Sequence, residues 1–441
     1  MKSFQWWFLT RVHSFPKGLY ILLLTVVFLG CQEDEDEESP KVFMEMPIEN
    51  QLVMSVDTFE VRARISDNNQ VSYVEIDLLD QNFATVISKQ RFPVSGSDFT
   101  FSTDFMLDAP FIDPGPYYVN VRAFDGRNIG SGFRQISVVV APRTLDQMIL
   151  ITSSNFSARV LTRSDNLPWQ ERFQLQIDYA GAALNFRQNL LCMAGGTIGD
   201  AVFYETGDFE IQSTIPGLGA PSFPYFAGVE YDSETQEFLL LQIEPRLRTF
   251  DKNGFGITGF PLQENHWPYN VFDVANHYFV VEKPITNPNY ILSKYARPGL
   301  LLSALTTDGP VLGVFEKSDN ELFVWVAANN QVQLKILNLN SNLLSSPYER
   351  NGEILYDVVQ VAPNTFVFST SQGLYRYSYS NGGTLVLDAG FTAEKLFFES
   401  LSETIYGISG QQLHRITTMG ELISTEDFAQ PVKWIGFDYN R

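Results

Sequence analysis

Four short stretches combine proline with a tryptophan or tyrosine: NLPWQ (166–170), SFPYF (222–226), ENHWPYN (264–270) and SSPYER (345–350). Their rings, Trp169, Tyr225, Trp267, Tyr269 and Tyr348, each present an apolar face and a hydrogen-bonding tip. That combination suits recognition of a sugar or a peptide. HWPYN is the densest of the four, and Glu264 and His266 add polar groups beside its rings. The competing reading is structural. Proline is tolerated at the first residue of a strand, and an adjacent ring can fill a gap in the packing.

Bond-making chemistry is harder to find. Beyond residue 31 the histidines are His266, His277 and His414, and none lies three or four residues from another. Zinc-type spacing is therefore lacking, and no metal or cofactor is expected. There is no Gly-x-Ser-x-Gly elbow and no phosphate-binding glycine loop. Cys192 sits in the apolar run NLLCMAGG without a basic neighbour and reads as a small buried hydrophobe. Carboxylates contributed by distant segments leave no spacing to read. The chain leans away from an enzyme. A glycan hydrolase or lyase built on such carboxylates is the alternative.

The elements that must position these residues are strands. A unit of about 40 residues recurs: VLGVFEKSDNELFVWVAANNQVQLKILNLNSN (311–342), YDVVQVAPNTFVFSTSQGLYRYSYSNG (356–382) and EKLFFESLSETIYGISGQQLHRITTMGE (394–421). Each holds apolar strands separated by polar turns, and a period of this size with about four strands per unit means propeller blades. Further units fall near 270–305, 224–262 and 172–215. The first, MILITSSNFSARVLTRSD (148–165), is a strand short, and VKWIGFDYN (432–440) supplies a strand with nothing after it. Pairing the two closes a ring and hides the edges that would otherwise aggregate. The expectation is a β-propeller over 143–441 with about seven blades, six or eight being the alternatives. The four proline–aromatic stretches are expected where one blade's outer strand hands over to the next blade's inner strand, around a single channel mouth.

Residues 41–142 show a different pattern. FEVRARI (59–65), VSYVEIDLL (71–79), YYVNVRAF (117–124) and RQISVVV (134–140) alternate with period two, and SDNNQ, VSGSD, DPGP and DGRNIG read as turns between them. Around seven short strands in this length suit an immunoglobulin-like sandwich. The stretch DPGPYYVNVRAFDGRN resembles the late strand of bacterial Ig-like and PKD-like modules, with Tyr117 or Tyr118 in the tyrosine-corner role. Asp67 and Asp125 fall in turn segments, where they are expected to cap backbone rather than bind calcium.

The first thirty residues give the address. Lys2, Arg11 and Lys17 precede thirteen uncharged residues, Gly18 to Gly30. That run is short for a membrane span, which needs roughly 20 apolar residues, and the layout is that of a secretory signal. Leu29-Gly30-Cys31 resembles the lipobox of bacterial lipoproteins, which implies removal of 1–30 and lipidation of Cys31. Phe28 departs from the usual leucine of that pattern. Six acids, Glu33 to Glu38, then make 31–40 an acidic tether that stays extended through self-repulsion. An acidic run at this place resembles the surface-export signal of lipoproteins from the Bacteroidota.

The expected location is the outer membrane, lipid-anchored and facing the cell surface, with the periplasmic face as the alternative. A formal charge of −21 makes nucleic acid a poor partner. An Ig-like module and a propeller on a lipid tether resemble the PKD-like lipoproteins found beside SusC/SusD-type nutrient importers. The resemblance implies a non-enzymatic binding or scaffold role, with an importer complex and a glycan or peptide ligand as partners.

Overall fold

In seven places the chain carries an apolar run through the second strand of a four-stranded meander, as in Glu321–Ala328 (ELFVWVAA) and Thr365–Thr370 (TFVFST). Such strands are covered on both faces, which is why they read as continuous hydrophobic runs instead of alternating. The structure is a computed structural model. It describes residues 38–440, except 108, 110–111, 141, 165–166, 218–224, 233–234, 252, 298 and 388–389. The expectations for the signal, Cys31 and most of the acidic tether lie outside the described residues. Among the described residues the only helical element is the 3-10 turn Phe186–Gln188, and no helix is long and apolar enough to cross a membrane.

The chain divides into two compact units, up to Ala141 and from Pro142 onward. The second unit is a β-propeller of seven four-stranded antiparallel sheets. Blade one combines Val432–Tyr439 with strands between Leu145 and Leu175. Blades two to seven follow at 179–215, 226–261, 266–307, 311–351, 355–387 and 395–427. The last strand of the chain is thus the innermost strand of the first blade. It runs antiparallel to Leu145–Ser154, with Tyr439 opposite Leu145 and Val432 opposite Thr152. Innermost strands of consecutive blades touch all the way round, including blade seven on one and one on two, so the ring is closed.

Seven apolar clusters hold the ring together, each formed between two neighbouring blades. The largest aromatic one joins blades five and six around the fully buried Trp325, with Phe323, Phe366, Phe368 and Tyr377. Hairpin tips carry asparagine at positive φ: Asn155 (52°), Asn276 (59°), Asn330 (54°) and Asn364 (59°). Asparagine tolerates this left-handed conformation, which lets the turn match the strand twist.

The first unit is one sheet closing on one core. Its strands are β1 (Lys41–Met46), β2 (Gln51–Met54), β3 (Thr58–Leu79), β4 (Thr85–Met106), β5 (Gly115–Phe124) and β6 (Ile129–Val139), in the order β1-β3-β5-β6-β2 with β4 on β3. Two of the expected turns do not form. SDNNQ lies within β3 and VSGSD within β4, so the two strands read at 59–65 and 71–79 are one. Opposed across the hairpin, the two polar stretches give way through register shifts between Ser66 and Tyr73, and the ladder resumes beyond them. Asp125 does cap its turn, its Oδ1 accepting from the backbone N–H groups of Arg127 (2.6 Å) and Asn128 (2.7 Å).

Candidate functional site

The innermost strands of the seven blades enclose a channel of about 1030 Å3. Their residues do not alternate cleanly along it, because near its start each strand carries one residue too many for its neighbour. The ladders skip Ala180, Ala227, Tyr269, Leu312, Tyr356 and Lys433 in blades two, three, four, five, six and one. Blade seven shows the same arrangement: Ile408 faces Lys395 in register, yet its carbonyl also accepts from the N–H of Glu394. A bulge sets two residues against one and re-aims the extra side chain. All seven bulge residues line the channel. The blades share one strand order, so rotation about the channel axis carries each onto the next, and the seven positions form a ring at one height.

That ring is lopsided. Blades two, three and five contribute Ala180, Ala227 and Leu312. Blades six, seven and one place Tyr356, Lys395 and Lys433 side by side, with Tyr269 of blade four apart from them. Tyr269 and Tyr356 line the channel and are 50% and 37% exposed. Among the described residues neither Lys395 nor Lys433 has a carboxylate within 4 Å.

Carboxylates line the same channel. Glu230 on blade three projects into it, wetted yet enclosed by the blades. Loss of bulk solvent pushes its carboxyl up to about 7, while the Lys395 ammonium pulls the other way. Asp357 is 7% exposed and accepts from the backbone N–H of Leu396 on the next blade at 2.8 Å. Its pKa is raised by burial and opposed again by Lys395. Tyr179 is raised by burial and then by Glu230. Tyr269 is raised by burial and then by Tyr290, with Lys395 acting against both. Lys395 thus stands within electrostatic reach of Glu230, Asp357 and Tyr269, which belong to three other blades.

Beyond the far ends of the inner strands, Arg143 lies over the rings of Tyr439 (3.7 Å to the centroid) and Phe186 (4.5 Å), and Tyr439 donates to Glu399 at 2.7 Å.

Of the residues singled out in the sequence, Tyr269 lines the channel. Tyr225 does precede the inner strand of blade three, but its hydroxyl accepts from Gln242 Nε2 (2.9 Å) and its ring packs on Phe226. His266 opens the inner strand of blade four, its Nδ1 2.8 Å from the Glu264 carbonyl, with Glu264 exposed and Trp267 49% exposed. Trp169 and Tyr348 are not at handovers between blades. Trp169 lies before the outer strand of blade one, where its indole N–H donates to Glu426 of blade seven (2.8 Å) beneath Arg163. Tyr348 is within the outer strand of blade five, against Tyr377 and Trp325. A proline–aromatic pair marks a strand start or a filled gap, and the sequence alone does not say which strand. The bulges had a faint signal: Ala180, Ala227 and Leu312 are each followed by glycine.

No protein-family model and no curated sequence relative matches the chain. Among solved structures, a protein from Lactobacillus plantarum superposes with a TM-score of 0.51 at 10% identity, over 67% of this chain and 99% of that one. A functionally unknown protein from Desulfotomaculum acetoxidans gives 0.50 at 12% identity, over 66% and 98%. The likeness is one of fold.

Proposed function

We propose that this chain is an outer-membrane-anchored surface lipoprotein acting as a non-enzymatic binding or scaffold module, accessory to a SusC/SusD-type nutrient importer. The observation that carries the binding role is the ring of seven bulges, which directs into one channel two tyrosines and two lysines that have no salt-bridge partner among the described residues. Bulges are common next to functional sites because they re-aim side chains. The anchor and the surface location rest on Gly30-Cys31 and the acids that follow. In this reading the first unit is an Ig-like spacer. Its support is Tyr117, whose hydroxyl donates to the Asp113 carbonyl four residues upstream (2.9 Å), the contact that defines a tyrosine corner.

The test is affinity capture of the tagged full-length chain from gently solubilised native outer membrane. An importer barrel in near-stoichiometric amount is the expected result. Recovery of the chain alone overturns the importer assignment.

One observation favours a second reading, a glycan hydrolase or lyase. Glu230 and Asp357 come from different blades into one channel, and Glu230 is shifted toward neutrality, where acid–base groups work best. That reading requires turnover of a polysaccharide by the full chain and its loss in Glu230→Gln.

A further inference from the structure

We infer that the channel takes an acidic saccharide, with a uronate carboxylate held between Lys395 and Lys433. The inference rests on the binding role proposed above and names its ligand class.

Charge is the first argument. In a chain of net charge −21, two neighbouring inner strands each place a lysine at the bulge position, and neither lysine is neutralised by a carboxylate within 4 Å among the described residues. Two ammonium groups aimed into one enclosed space repel each other, and an anion between them relieves that repulsion. Lysine contributes compact donors that suit a single carboxylate.

The surroundings select the rest of the ligand. Tyr356, beside the lysines, and Tyr269, across the ring, present apolar faces with hydroxyl tips, a surface on which a pyranose ring sits well. Glu230 and Asp357 are acceptors, so they want hydroxyl donors. A uronate offers one carboxylate and several hydroxyls on each ring. An acidic peptide brings carboxylates without hydroxyls and leaves those acceptors without donors. The alanines at 180 and 227, on the two blades that follow that of Lys433 round the ring, leave space beside the lysines for a chain longer than one sugar.

The experiment uses the full-length chain on an array of uronate-containing oligosaccharides, the same oligosaccharides after carboxyl reduction, and oligoglutamate peptides. Carboxyl reduction preserves backbone and stereochemistry and removes only the charge. The expected result is binding to at least one uronate, loss of that binding on reduction, and no binding to the peptides. Lys395→Met and Lys433→Met should each weaken it about tenfold or more, the usual cost of a lost charged hydrogen bond, with a cooperative unfolding transition retained. Added salt should weaken it further.

Equal binding of reduced and unreduced glycans overturns the inference and leaves the binding role standing. Preference for the peptides also overturns it. Uronate binding that both lysine variants retain places the ligand outside the channel and overturns it. Silence across the whole array overturns the inference, while importer capture still decides the broader role.

Discussion

Glu230 is held between opposing influences. Enclosure by the blades disfavours its charge, and Lys395 across the channel favours it. The first prevails, and the carboxyl rises to about 7. The folded chain then keeps a proton that the unfolded chain has already released. The stability Glu230 contributes is therefore complete below the ordinary carboxyl value and is lost as pH climbs toward 7. Thermal unfolding midpoints should fall between about pH 5 and about pH 8, and less steeply in Glu230→Gln, which has no proton to lose. Parallel slopes for the two proteins would show that channel water solvates the carboxylate fully. The same titration should move uronate binding, because a charged Glu230 competes for Lys395. Cys192 is the residue that sequence alone placed well. An apolar run without a basic neighbour means burial, and the thiol is fully buried with its pKa pushed up by that burial.

Pairs of blades are joined by apolar clusters and also by charge, as where Arg163 of blade one meets Glu426 of blade seven (2.7 Å) and where blade four meets blade three. Arg297, at the end of a blade-four strand, binds Asp273 of its own blade (2.5 Å) and Asp232 of blade three (3.1 Å). The two carboxylates are 3% and 8% exposed. Removing the guanidinium leaves two buried acids side by side, and uncompensated buried charge costs about 3–5 kcal/mol. Arg297→Met should lower stability in chemical denaturation by roughly that amount, and adding Asp273→Asn should restore part of it. An additive double variant would mean that the three groups do not act together. This junction was invisible in the sequence, since its members are 24 and 65 residues from the arginine.

Bulges were hidden for a related reason. An extra residue breaks period-two alternation for one step only, which looks like noise in a strand of seven residues. Glycine after the bulge is the better sign. A Cβ at Gly181 would lie 2.9 Å from the Val229 backbone nitrogen, and one at Gly313 would lie 2.7 Å from Val358 Cγ1, so glycine there lets neighbouring inner strands approach. What could be read was whatever repeats: second strands with unbroken apolar runs, polar turns between them, and a period near 40. Polar stretches misled where strands ran through them, as SDNNQ and VSGSD did in β3 and β4, because a paired partner satisfies the backbone as well as a turn does.

At the scale of the whole propeller, the ring depends on its last eight-residue strand. Val432–Tyr439 covers Leu145–Ser154, most of whose residues are buried, and its Asp438 accepts from Gln147 (3.1 Å) and from Thr206 of blade two (2.7 Å). Without it, blade one keeps three strands, and the apolar cluster between blades seven and one loses Val432 and Ile435. An uncovered apolar edge recruits other chains. Ending the chain after residue 430 should therefore abolish cooperative unfolding and yield aggregate, as read by circular dichroism melts and light scattering. Geometry supplies the control. Tyr439 lies opposite Leu145, and the Asn440 N–H reaches the Thr144 carbonyl at 3.1 Å, so the two strands already meet as a hairpin would. Moving residues 431–440 to stand just before residue 143, joined by a short turn, should restore a cooperative transition near the wild-type midpoint. If the truncated chain melts like the intact one, closure by this strand is not what holds the ring. If the rearranged chain fails while the truncated one also fails, the strand's position in the sequence matters beyond its place in the sheet.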